Sequence, residues 1–152
     1  AGPVAHAIAA PIQLNKTTLV QFNGTADAAL ALGNVTGAAG KGLAALNSGS
    51  AAAAISQTGT LNLPGGLALD GVNFSATGNA TVGSLGLNNA IFSSDAAGSL
   101  TIGGDVTGGG GLVVGNTLTM SNPNYQIQGA GMILGNGGTT SLTVGAHSRT
   151  AA

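Results

Sequence analysis

The stretch Ser99-Leu100-Thr101-Ile102-Gly103-Gly104-Asp105-Val106-Thr107-Gly108 decides how this chain is read. Leu100 and Ile102 flank a Thr, and a Gly follows at once. The same unit recurs as Leu61-Asn62-Leu63-Pro64, Leu85-Gly86-Leu87-Asn88, Leu118-Thr119-Met120-Ser121 and Leu142-Thr143-Val144-Gly145. Looser copies stand at Leu67-Ala68-Leu69-Asp70 and Tyr125-Gln126-Ile127. Alternation with period two puts both apolar side chains on one face of a strand and the small polar residue on the other. The breaker then forces a corner, so each strand is very short. Many short strands between Gly, Asn and Ser corners predict an all-β winding architecture, of the β-helix or β-prism kind. The inward set it predicts is Leu61, Leu63, Leu100, Ile102, Leu118, Met120, Leu142 and Val144.

The repeat is uneven. The steps 61 to 85, 100 to 118 and 118 to 142 are multiples of six, the step 85 to 100 is not, and Gly108 to Gly111 interrupts any hexapeptide coil. Short strands that pair with neighbouring subunits tolerate such irregularity, which predicts an intertwined oligomer, a trimer, over a solitary solenoid.

Upstream the texture changes twice. Residues 1–24 carry Pro3 and Pro11, the strand-like run Thr17-Thr18-Leu19-Val20-Gln21-Phe22, and the turn signal Asn23-Gly24. They read as an extended N-terminal arm with a first strand. Ile8, Ile12 and Leu14 have no obvious local partner there and are the candidate partner-binding residues, by strand addition to an exposed edge. Residues 25–57 are rich in Ala and Gly, a connecting or attachment region. Asp27-Ala28-Ala29-Leu30-Ala31-Leu32 could be a helical turn or a short strand, and Gly at 33, 37, 40, 42 and 49 keeps any helix short. Residues 58–152 form the β-repeat domain.

Composition narrows function. Charged residues make up 5% of the chain, against roughly 25% in soluble domains. Net charge is −1 and mean hydropathy +0.40, which is not the pattern of a disordered chain. With one Tyr, three Phe and no Trp, a deep monomeric core lacks its usual large rings. A nearly neutral surface over a small core predicts self-association. Three cations make no footprint for nucleic acid, and no apolar run reaches the length of a membrane span. The chain has no Cys, hence neither disulfide nor thiolate chemistry.

Catalysis finds little to stand on. His6 and His147 lie near opposite ends, Asp27, Asp70, Asp95 and Asp105 are scattered, and Glu is absent. No catalytic, metal or cofactor-binding residue, cofactor or small-molecule substrate is expected. Gly37-Ala38-Ala39-Gly40-Lys41-Gly42 fails as a phosphate loop, because Val35 and Gly42 stand where Gly and a hydroxyl residue are needed. Gly65-Gly66-Leu67-Ala68-Leu69-Asp70 is a single imperfect copy of a calcium-binding turn. The glycosylation patterns at Asn15, Asn23, Asn34, Asn73 and Asn79 read as turn chemistry. Thr58-Gly59-Thr60 and Thr117-Leu118-Thr119 hint at an ice-binding face, but two pairs so far apart make no ladder.

Small residues, scant charge, a Pro-containing start and the Leu-Thr-Ile-Gly units of residues 58 to 147 together resemble tailed-phage virion proteins. Ser99 to Gly108 and Ser141-Leu142-Thr143-Val144-Gly145 carry the likeness best. The similarity is to trimeric capsid decoration (cement) proteins, head fibres and tail fibres. It implies a homotrimer without cofactor, located on the virion and bound at one end to a major capsid or tail protein. The short chain favours a decoration protein or short head fibre, with a tail-fibre segment as the alternative. Bacterial surface adhesins share the Gly/Asn/Thr texture and imply an extracellular repeat module, and an ice-binding β-solenoid is the remaining alternative.

Overall fold

A computed structural model describes residues 3–49 and 51–120, together with the backbone of two further strands, Gly131–Leu134 and Ser141–Val144. The chain winds as an all-β, parallel solenoid of about six turns, with no helix among the described residues. The first rung is β1 (Val4–Ile8), β2 (Ile12–Leu14) and β3 (Thr18–Phe22). The second is β4 (Ala28–Leu32), β5 (Val35–Gly37) and β6 (Leu43–Asn47), and the third β7 (Ala53–Thr58), β8 (Leu61–Leu63) and β9 (Leu67–Asp70). Then come β10 (Val72–Thr77), β11 (Ala80–Val82) and β12 (Leu85–Asn88), followed by β13 (Ile91–Ser94), β14 (Leu100–Ile102) and β15 (Val106–Thr107). The last described strands are β16 (Gly111–Val114), β17 (Thr117–Met120), β18 (Gly131–Leu134) and β19 (Ser141–Val144).

Each strand pairs with its counterparts one rung below and above, giving three parallel sheets. The first runs β1-β4-β7-β10-β13-β16-β18, the second β19-β17-β14-β11-β8-β5-β2 and the third β15-β12-β9-β6-β3. Side chains alternate between a closed interior and the outside. In β7 and β10 burial switches residue by residue, so Ala53, Ile55 and Gln57 face in beside Val72, Phe74 and Ala76. The recurring Leu-x-Leu units supply the inner wall. Leu61, Leu63, Leu100, Ile102 and Leu118 are each at most 1% exposed and Met120 is 3% exposed. Leu142 and Val144 stand in register with Leu118 and Met120 on β19; their side chains, like Tyr125 to Ile127, lie outside the described residues.

Several sequence expectations change. Residues 25–57 hold no helix among those described: Ala28, Leu30 and Leu32 form the inward side of β4, and β5, β6 and most of β7 follow. Ala has high helix propensity, but runs of at most nine residues between glycines are too short to repay helix nucleation, whereas β4 hydrogen-bonds with both β1 and β7. Gly33 ends it where a Cβ would lie 2.7 Å from the Ala9 carbonyl oxygen. The N-terminal segment is no free arm. Its three strands pair in register with β4, β5 and β6 and complete the first rung.

The uneven repeat also has a structural origin. Leu100 stacks on Leu118 and Leu118 on Leu142, so those steps are true rungs. Leu61 and Leu85 sit in different sheets: Leu61 pairs with Val35 and Ala80, and Leu85 with Leu67 and Val106. Rung length varies because corners vary. The step between stacked residues is long from 4 to 28 and from 28 to 53, and short from 74 to 92. The first rung passes from third to first sheet through residues 23–27. Later rungs make that corner with Gly71 alone (φ 65°), or with Asn89 (φ 48°) and Ala90. The strand pairing that irregularity seemed to demand from neighbouring subunits is thus made within one chain.

Candidate interaction surfaces

Three of the four Asp side chains bond to the next or preceding rung. Asp27 accepts the Ala52 N–H at 3.0 Å, Asp70 accepts from the Asn88 amide at 2.9 Å, and Asp95 accepts the Gly78 N–H at 3.3 Å. No three His, Cys, Asp or Glu residues gather where they could hold a metal, among the described residues. Three of the five glycosylation-pattern asparagines do similar work. The Oδ1 atoms of Asn34, Asn73 and Asn79 accept backbone N–H groups of Thr60, Ile91 and Ser99, each one rung on, at 2.7, 3.1 and 3.2 Å. These bonds tie successive corners together, as turn-type Asn does elsewhere. Gly37 to Gly42 forms the corner from β5 to β6, closed by the Lys41 N–H donating to the Ala38 carbonyl.

Three outer surfaces remain. The first is the N-terminal end. Among the described residues, β1, β2 and β3 are each an edge strand of their sheet, and every residue of β1 is exposed. Val4 is 46% exposed, Ile8 45% and Leu19 57%. Of the candidate partner-binding residues, Ile8 is open, Ile12 is half-buried, and Leu14, at 7% exposure, packs into the core. The next rung supplies the local partner that the sequence of this segment does not show.

The second is a shallow groove of about 360 Å³ on the outside of the third sheet. Ala44, Ala68 and Gly86 line it beside Gly66, Asp105 and Thr107. Small side chains in register create it, since Ala44 pairs with Ala68 and Ala68 with Gly86. Its polar side chains are Thr17, Ser84, Asp105 and Thr107.

The third is the outer face of the second sheet. The middle residue of each three-residue strand points outward, and register stacks these residues in one column. Gln13 lies beside Thr36, Thr36 beside Asn62 and Asn62 beside Thr81. Thr81 lies beside Thr101 and Thr101 beside Thr119, and the backbone of Thr143 is next in register on β19. Thr-x-Thr pairs in sequence were the wrong signal for such a ladder. The informative one was the middle residue of each Leu-x-Leu unit, legible only once the rungs are aligned.

The chain matches no family model, and comparisons with curated proteins and with solved structures found no similar protein.

Proposed function

We propose that this chain is a non-catalytic structural module that works inside a larger surface assembly: a phage virion protein of the capsid decoration or short head-fibre type. The observation that carries the reading is the N-terminal rung. Three parallel strand edges end there together, with Val4 and Ile8 exposed beside them. An open, uncharged edge of this kind is a template for another β-strand. A nearly chargeless surface favours association as well. The virion resemblance implies a homotrimer, with a capsid or tail protein as the further partner.

Sedimentation and native mass spectrometry at micromolar concentration test this. A trimer is expected, and the double variant Val4→Lys/Ile8→Lys should keep its β-type circular dichroism and lose association. A folded monomer that does not bind capsid or tail protein overturns the virion reading.

One observation favours a second reading, an extracellular adhesin repeat module. A single chain completes the described rungs, so the fold needs no second subunit to pair its strands. A monomer that adheres to intact cells would support that alternative.

A further inference from the structure

We propose that the outer face of the second sheet, the ladder centred on Asn62, Thr81, Thr101 and Thr119, is a binding surface for ice. The inference does not depend on the assembly reading, which rests on the opposite feature, the end of the solenoid.

The ladder is set by the backbone. Parallel strands hold stacked residues about 4.8 Å apart, and Ala80, Leu100 and Leu118 fix the same strands from inside, each buried. The outward groups are therefore presented on a packed scaffold, with little order left to impose on binding. A second polar column runs alongside, at the residue before each inward Val35, Leu61, Ala80, Leu100 and Leu118: Asn34, Thr60, Asn79, Ser99 and Thr117, with Pro11 at its foot before Ile12. Neither column contains a charge or an aromatic ring.

The upper ladder is also free to bind. Thr36 donates to the Gln13 Oε1 at 2.6 Å and is taken. The hydroxyls of Thr81, Thr101 and Thr119 and the amide of Asn62 have no hydrogen-bond partner among the described residues. Each Thr hydroxyl can donate and accept, as a lattice water does.

The chemistry selects the ligand. An ion would need opposing charge, which is absent. A single sugar or other small molecule needs convergent polar groups in a concave site, and these groups diverge along a row. One neutral hydroxyl per rung gains little alone, because each such bond exchanges with water. Weak contacts on a rigid array add up when the ligand is itself periodic. Ice is periodic, uncharged and built of oxygens that donate and accept, with a lattice repeat close to the strand spacing. Thr adds a methyl group that can sit between rows of water.

The first sheet carries a shorter hydroxyl row, Ser56, Ser75 and Ser93, but it runs out at Ala31 and Val113, lacks the Thr methyl, and Ser93 donates to the Phe74 carbonyl at 3.4 Å. Its other column is Ala29, Ala54 and Asn73, and the third sheet presents Leu19, Ala44, Ala68, Gly86 and Thr107.

The test freezes a dilute solution of the full chain slowly and measures the share of protein taken into the ice, beside a non-binding protein. Several-fold enrichment over that control is expected, together with inhibition of ice recrystallisation. Thr81→Lys/Thr101→Lys should fall to the control, while Ser75→Lys on the first sheet should behave as the parent chain. Circular dichroism confirms that each variant keeps its fold. Exclusion of the parent chain from ice, or equal uptake of the Thr81→Lys/Thr101→Lys variant, overturns the proposal. So does exclusion from ice combined with ladder-dependent binding to insoluble cellulose or chitin, which would make the face a polysaccharide site.

Discussion

Phe74 and Phe92 stack across consecutive rungs, with ring centroids 5.7 Å apart and planes 9° from parallel. They are in register between β10 and β13, and neither is more than 1% exposed. Two of the chain's three Phe residues thus spend their area on each other and on the aliphatic wall. Phe92→Ala should cost about 3–5 kcal/mol, as a lowered urea midpoint with little change in slope. A loss below about 1 kcal/mol would show that the rungs close over the cavity.

Gln57 is a buried polar group, 1% exposed, on the inner side of β7. Its Nε2 donates to the Gly33, Thr58 and Thr60 carbonyls at 3.2, 2.8 and 3.2 Å, and its Oε1 has no partner. Gln57→Glu removes the donor and turns an oxygen toward those carbonyls. Burial and the carbonyl dipoles raise the folded-state pKa of the new carboxyl above its unfolded value. The penalty is then absent at acid pH, where the group is protonated in both states, and grows as pH rises through the unfolded pKa. Thermal melts of variant and parent should converge in acid and separate at neutral pH. A constant gap across that range would contradict the assignment.

Gly108 follows β15 with φ 114°, and a Cβ there would collide with the Leu87 carbonyl. That carbonyl accepts the Gly110 N–H at 2.8 Å, so it cannot swing away without breaking the corner. Gly108→Ala should cost about 1–3 kcal/mol from backbone strain alone. Gly103→Ala is the matched control, because its Cβ would come no nearer than 3.7 Å to the Gly83 carbonyl oxygen. Chemical denaturation of the pair should separate them clearly.

Leu14 and Ile8 look alike in the sequence and differ in the fold. Leu14→Ala should destabilise by about 2 kcal/mol, the lower end of the range for buried Leu, because the terminal rung can relax. Ile8→Ala should stay within about 0.5 kcal/mol, as exposed positions do. Equal losses at the two sites would mean that the first rung is packed differently.

The period-two units identified the fold class and the inward residues from Leu61 to Met120, because alternation is a property of the strand itself. Leu-Thr-Ile-Gly cannot bury both apolar side chains except as a short strand with a corner after it. Low charge and the absence of Cys were equally legible. The sequence did not show which strand lies over which. Leu61 and Leu85 are equivalent as text and belong to different sheets, since corners as short as Gly71 or as long as residues 23–27 shift the register between rungs. The same ambiguity hid the first rung and turned β4 into a candidate helix, because parallel pairing between residues about two dozen positions apart leaves no local signature. The Thr ladder shows the division most plainly. Composition supplied the hydroxyls, and only the stacking of rungs, driven by burial of the Leu and Phe columns, brought Thr81, Thr101 and Thr119 into one line.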